Sequence, residues 1–137
     1  MYYAIDIAKY IFTYADSKDY SITNLRLQKL LYFVYKEYLK QTGQYLFKDI
    51  FYAWEFGPVI HTVYKEFENT AVFIQKQYKY PKFEDSLIEL INGVVEKYSQ
   101  YPIDQLIYLS TLSKSAWEKA FNSKSKEINP ELIKKEL

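Results

Sequence analysis

The single histidine, His61, is the side chain best suited to acid–base chemistry, since an imidazole changes charge near neutral pH without help from its surroundings. No nucleophile or acid stands beside it at a recognisable spacing, so His61 reads as a surface residue rather than as half of a catalytic dyad. Glu55, His61 and Glu66 could converge on a metal, but their spacing matches no ligand signature. Glu66 with Glu68, and Glu84 with Asp85, read as solvated faces. Three unclustered glycines leave no phosphate-cradling loop. The absence of cysteine removes disulfides and thiolate metal sites and fits a reducing compartment. The residues with chemistry in them therefore point away from an enzyme and from any cofactor, and towards recognition.

Two recognition chemistries can be weighed. The stretch Gln75 to Lys82 interleaves Lys76, Lys79 and Lys82 with Tyr78 and Tyr80, a stacking-plus-cation pattern suited to single-stranded nucleic acid. The rest of the chain is not basic and its formal net charge is +1, so an edge strand guarded by lysines explains the stretch better. Sixteen tyrosines and nine phenylalanines are many for 137 residues. They suit a protein-binding surface, because an aromatic ring offers large contact area at low entropic cost, and they also suit an AT-rich coding genome. No run approaches the roughly 20 apolar residues of a membrane span. The opening MYYAIDIAKY carries Asp6 and Lys9 and lacks the basic head and apolar core of a signal peptide. These features lead us to expect a cytoplasmic chain with no membrane partner.

The most specific local feature is the corner Trp54-Glu55-Phe56-Gly57-Pro58-Val59. Glycine permits a backbone conformation closed to other residues, and the proline after it can start a helix. Either Trp54 and Phe56 fill the core, or the corner presents an aromatic ring and Glu55 to a partner.

Helices must position that corner. Apolar residues recur at i, i+3, i+4, i+7, i+8 and i+11 in three segments: Ala4 to Ala15, Leu27 to Tyr38 and Leu87 to Tyr98. A shorter set, Ile103, Leu106, Ile107 and Ser110, predicts a helix after Pro102. Pro58, Pro81, Pro102 and Pro130 all stand where a helix could begin. Thr23 or Asn24 can cap the second helix, Gly43 can end it, and Asn129 can cap the last. Gly93 permits a close helix crossing or marks a kink. Residues 50–55 alternate as a strand does and could pair with an extended stretch from Ala71 to Tyr80. The expectation is a mostly α-helical, compact single domain over residues 1–137, with six to seven helices and a small β-ribbon. Residues 1–121 would form its core, and 122–137 a polar linker and a short last helix.

On the second helix the apolar residues fill more than half the circumference, so it reads as central. Arg26, Lys29, Lys36, Glu37 and Lys40 share the remaining, solvent-facing arc. Phe33 lies among them, either packed beneath the Trp54 segment or standing as an exposed anchor.

From Thr23 to Phe67 the chain resembles the Panacea domain, the SocA-like antitoxin or phage-associated GepA-like family. The residues that carry the likeness are Asn24 to Phe33 (NLRLQKLLYF), Thr42-Gly43, Leu46-Phe47, Ala53-Trp54, Gly57-Pro58-Val59 and Val63-Tyr64. Ala8 and Tyr10 also match the family's opening helix. The second half departs from the pattern: the family's Thr-His pair before a tryptophan is replaced by Ser113-Lys114, with Trp117 following closely. The resemblance implies a helical domain without catalysis that neutralises a toxin by direct binding, in some members as an adaptor to a Clp-type protease. A phage-encoded inhibitor of a host enzyme or host defence is the alternative it implies. The expected protein partner, a toxin or host target, would dock on Lys29, Phe33 and Lys36 of the second helix. The corner would add Trp54, Glu55, Phe56, Gly57, Pro58 and His61, and Trp117 would join them. A small homo-oligomer is compatible with this reading.

Overall fold

The computed structural model describes residues 1–68 and 77–137. Among these the chain is mostly α-helical, with α1 (Ala4–Ser17), α2 (Asn24–Thr42), α3 (His61–Phe67), α4 (Asp85–Ser99), α5 (Ile103–Ser110), α6 (Ala116–Phe121) and α7 (Pro130–Lys135). One antiparallel pair, β1 (Tyr52–Trp54) and β2 (Gly57–Val59), completes it.

Helix α2 is the hub, packed against α1, α3, α4, α5, α7 and β2. Its ends are set by the residues expected to set them. Thr23 Oγ1 accepts a hydrogen bond from the Arg26 amide at 3.1 Å, and Gly43 closes the helix with φ of 72°. Asn129 caps α7 and Pro130 occupies its first turn. Leu27, Leu30, Leu31, Val34 and Tyr35 are buried, as are Ala4, Ile7, Ala8 and Ile11 of α1 and Leu87, Ile91 and Val95 of α4. The repeated helical spacing thus marks the stripes that meet in one core.

Much of the aromatic content is spent inside. Tyr35 packs on Phe47 and Phe51, and Tyr10 sits edge-on to Phe83 while its hydroxyl donates to Asn92 at 2.7 Å. Buried tyrosines need such partners for their hydroxyls.

Three expectations are corrected. The ribbon forms between β1 and β2, in the register Tyr52 with Val59 and Trp54 with Gly57. A partner two residues away closes far less chain than one twenty residues on, so the local hairpin wins. Residues 71–76 of the expected second strand lie outside the described residues, and 77–80 carry no strand. Pro58 lies within β2 and α3 starts only at His61. Gly93 permits no close crossing, because a Cβ built on it would have nothing within 4 Å.

The polar stretch after α6 lies against β1. The Ala53 amide donates to the Lys126 carbonyl and the Ile128 amide to the Phe51 carbonyl, each at 2.8 Å. Ile128 and Ile133 are buried in the core.

Candidate functional site

Alternation along β1 and the turn of α3 assemble one aromatic face. Tyr52 and Trp54 are two residues apart in an extended strand and so share a side, while His61 and Tyr64 are one helical turn apart. The His61 ring stacks on Tyr52 at 4.0 Å and 12°, and Trp54 meets Tyr64 edge-on at 4.8 Å. Trp54 is 37% exposed, Tyr64 37% and Phe56, at the hairpin tip beside exposed Glu55, 56%. Trp54 and Phe56 therefore do not fill the core, and the corner presents its rings outward.

The backbone beneath that face is held from below. The Gln28 side chain, wholly buried, accepts from the Ile60 amide at 3.0 Å and donates to the Ile60 carbonyl at 3.4 Å. Trp117 Nε1 donates to the Trp54 carbonyl at 2.8 Å, and its ring stacks on Phe121. Asn24 reaches the Tyr64 carbonyl at 2.8 Å, and Arg26, the lone arginine, reaches the Tyr101 carbonyl at 2.9 Å. The bonds to Ile60, Trp54 and Tyr64 fix the corner against α2 and α6, and the Gln28 pair satisfies backbone groups that are out of water.

Lys29 belongs to the same bracket. It was expected on the solvent arc, yet it is 0% exposed and its Nζ has no hydrogen-bond partner. Gly57 stands with φ of +125°, and a Cβ there would lie 1.9 Å from Lys29 Nζ and 2.7 Å from Ser110 Oγ. The missing side chain at 57 is the space the lysine head fills. Burial alone pushes the amine down to about 7, since a charged ammonium is poorly solvated there. Lysine and serine together are the residue types of a serine–lysine dyad. Ser110 Oγ, however, donates to the Ile107 carbonyl at 3.0 Å, and both residues are buried.

A second surface lies further along α2, where Phe33, Lys36 and Lys40 continue, at i+4, i+7 and i+11, the face that holds Lys29. A groove of about 560 Å³ runs between α2, α4 and the end of α5, lined by Phe33, Leu90, Val94 and Leu112 with Lys36, Lys40 and Lys97 along it. Phe33 is buried and stacked on Tyr98 at 4.4 Å and 25°, so it neither lies under Trp54 nor stands free. Lys36 is half-buried and pairs with Glu136 at 4.0 Å.

The expected site residues thus divide. Trp54, Glu55, Phe56 and His61 come together at the surface; Gly57, Pro58, Lys29 and Trp117 support them from within; Phe33 and Lys36 belong to the groove. Tyr52, Tyr64, Gln28 and Ser110 were missed. The i, i+2 and i, i+3 spacing of the rings was the available signal for the first two. Tyr78 and Tyr80, whose pattern was weighed for base stacking and read as better explained by an edge strand, pack on Phe67 and Phe83. Among the described residues no cluster of three or more His, Asp or Glu side chains could hold a metal, and no helix is long and apolar enough to cross a membrane.

The model of the family described as "Antitoxin SocA-like, Panacea domain" matches residues 27–118, which takes in Gln28, Lys29, the whole hairpin, Ser110 and Trp117. A stretch of 61 residues, 44% of the chain, is 43% identical to the protein named Antitoxin SocA of Caulobacter vibrioides (strain NA1000 / CB15N). That match spans 32% of the Caulobacter protein's own length. No solved structure matches the chain. The matched segment is well over half of the sequence and holds the hairpin together with Gln28, Lys29 and Trp117, so this chain belongs to the SocA-like antitoxin family, as a Panacea-domain protein.

Proposed function

We propose that the protein is an antitoxin-like binding module that neutralises a cognate toxin by direct contact, with no bond made or broken. The observation that carries this is the aromatic face of Trp54, Phe56, His61 and Tyr64 on a hairpin braced from beneath. Large rings at a fixed angle make good interface anchors, because they bury much area and lose little freedom on docking. Family membership supports the antitoxin role, and the toxin is the partner expected to cover this face.

Co-expression with the neighbouring reading frames tests the proposal, scored by growth rescue and by co-purification. A Trp54→Ala/Phe56→Ala double variant should keep its melting temperature and lose both rescue and co-purification. Full rescue by that variant, with loss on Lys36→Glu/Lys40→Glu instead, would move the interface to the groove. Neutralisation by occlusion should persist in cells lacking Clp-type proteases; rescue that vanishes there indicates delivery to proteolysis.

A further inference from the structure

We propose that Lys29 is a positioning residue whose buried amine latches the Trp54 hairpin onto α2, and that protonation of this amine loosens the hairpin and weakens docking. The proposal rests on the hairpin being the partner-binding face. The geometry is a head group with no exposure and no hydrogen-bond partner, seated where Gly57 lacks a side chain. In its neutral form the amine is a small, weakly polar filler. Once charged, it must find water or an acceptor, and the hairpin backbone it abuts is that of Gly57.

Among the described residues no opposite charge is placed to relieve that demand. Strand β2 (Gly57–Val59) brings no titratable side chain, and α5 brings the Ser110 hydroxyl, already donating to Ile107. Of the other elements packed on α2, α3 has His61 stacked on Tyr52, α4 has Tyr98 stacked on Phe33, and α7 has Glu136 paired with Lys36. From α1, the hydroxyls of Tyr10 and Tyr14 are taken by Asn92 and Glu96. Within α2 itself, Arg26 is directed to the Tyr101 carbonyl. Consistent with this, burial is the sole cause that brings the amine into the neutral range.

Both tryptophans report on the latch, since the Trp117 indole N–H donates to the Trp54 carbonyl. The test follows the Trp117 indole proton–nitrogen resonance from pH 6 to 9, in the wild type, His61→Gln and Lys29→Met. The expected result is a titration in the wild type that survives in His61→Gln and is absent in Lys29→Met. A flat wild-type profile, or a transition that persists in Lys29→Met, overturns the proposal. Should Lys29→Met not fold, the Lys29 Cε resonance of the wild type decides: a midpoint at the ordinary lysine value of 10.5 overturns it. With the partner in hand, affinity should fall below neutral pH, approaching about tenfold per pH unit. The resonance measurements need no partner, so their failure is distinct from a failure of the antitoxin reading.

Discussion

Gly57 lies under the aromatic hairpin and Gly93 lines the groove, and they do opposite things. At the hairpin the missing side chain is filled at once, by the Lys29 head and the Ser110 hydroxyl. In the groove nothing comes within 4 Å of where a Cβ would stand, so the absence widens the surface instead. One glycine is consumed by packing and makes a projecting corner rigid. The other leaves room in a concavity. Glycine alone therefore says little about a site; what faces it decides whether it braces a protrusion or opens a hollow.

The largest expected effect tests the filled glycine. Gly57→Ala places a methyl group against Lys29 and forces an unfavourable φ, so urea unfolding should show a loss of about 3 kcal/mol or more. A loss under about 1 kcal/mol would mean the latch yields freely. Next, Phe33→Ala removes the ring stacked on Tyr98 beneath the groove and should cost about 3 kcal/mol in the same assay, leaving the hairpin's indole resonances in place.

The third prediction separates the latch by pH. The folded Lys29 amine titrates at about 7 and the unfolded one at 10.5, so between these values the unfolded chain holds the extra proton. Stability should therefore rise with pH, by up to about 1.4 kcal/mol per unit from this group. The burial penalty is fully present below pH 7 and relieved only as pH climbs towards 10.5. Tyr32 and Tyr35, raised chiefly by burial, and Tyr14, raised to about 12 chiefly by its hydrogen bond to Glu96, act the other way at higher pH. The slope is thus best read from pH 7 to 9, and Lys29→Met should abolish it while being more stable at pH 7. The smallest effect tests the empty glycine: Gly93→Ala should raise stability by roughly 0.5–1 kcal/mol, through helix propensity without a clash.

Helices α1, α2, α4, α5 and α7 were legible because their apolar spacing, and the residues at Thr23, Gly43 and Asn129, obey local rules that tertiary context did not override. The corner was legible as a feature, but its outward aim was not, since Trp54 and Phe56 have the composition of core residues. Lys29 was misread for a physical reason. A lysine on a helix arc is ordinarily solvated, and only the approach of Gly57 and Ser110, residues distant in sequence, takes it out of water. Gln28 was hidden for the same reason, because its partner is the backbone of Ile60 rather than a residue type that sequence displays. Pairing of β1 with residues 126–128 depends on how α6 returns the chain, which no local pattern encodes.

Pro58 has one more consequence. On one flank β1 is bonded to β2, and on the other it is bonded to the segment around Glu127. Across from Ala53, whose amide points away from β2, Pro58 has no amide to offer on the outer rim of the ribbon. An incoming strand meets no donor at that rung, so this edge is a poor template for another chain. The hairpin is thus shaped to meet a partner through the relief of its rings, with its main chain held back from a shared ladder.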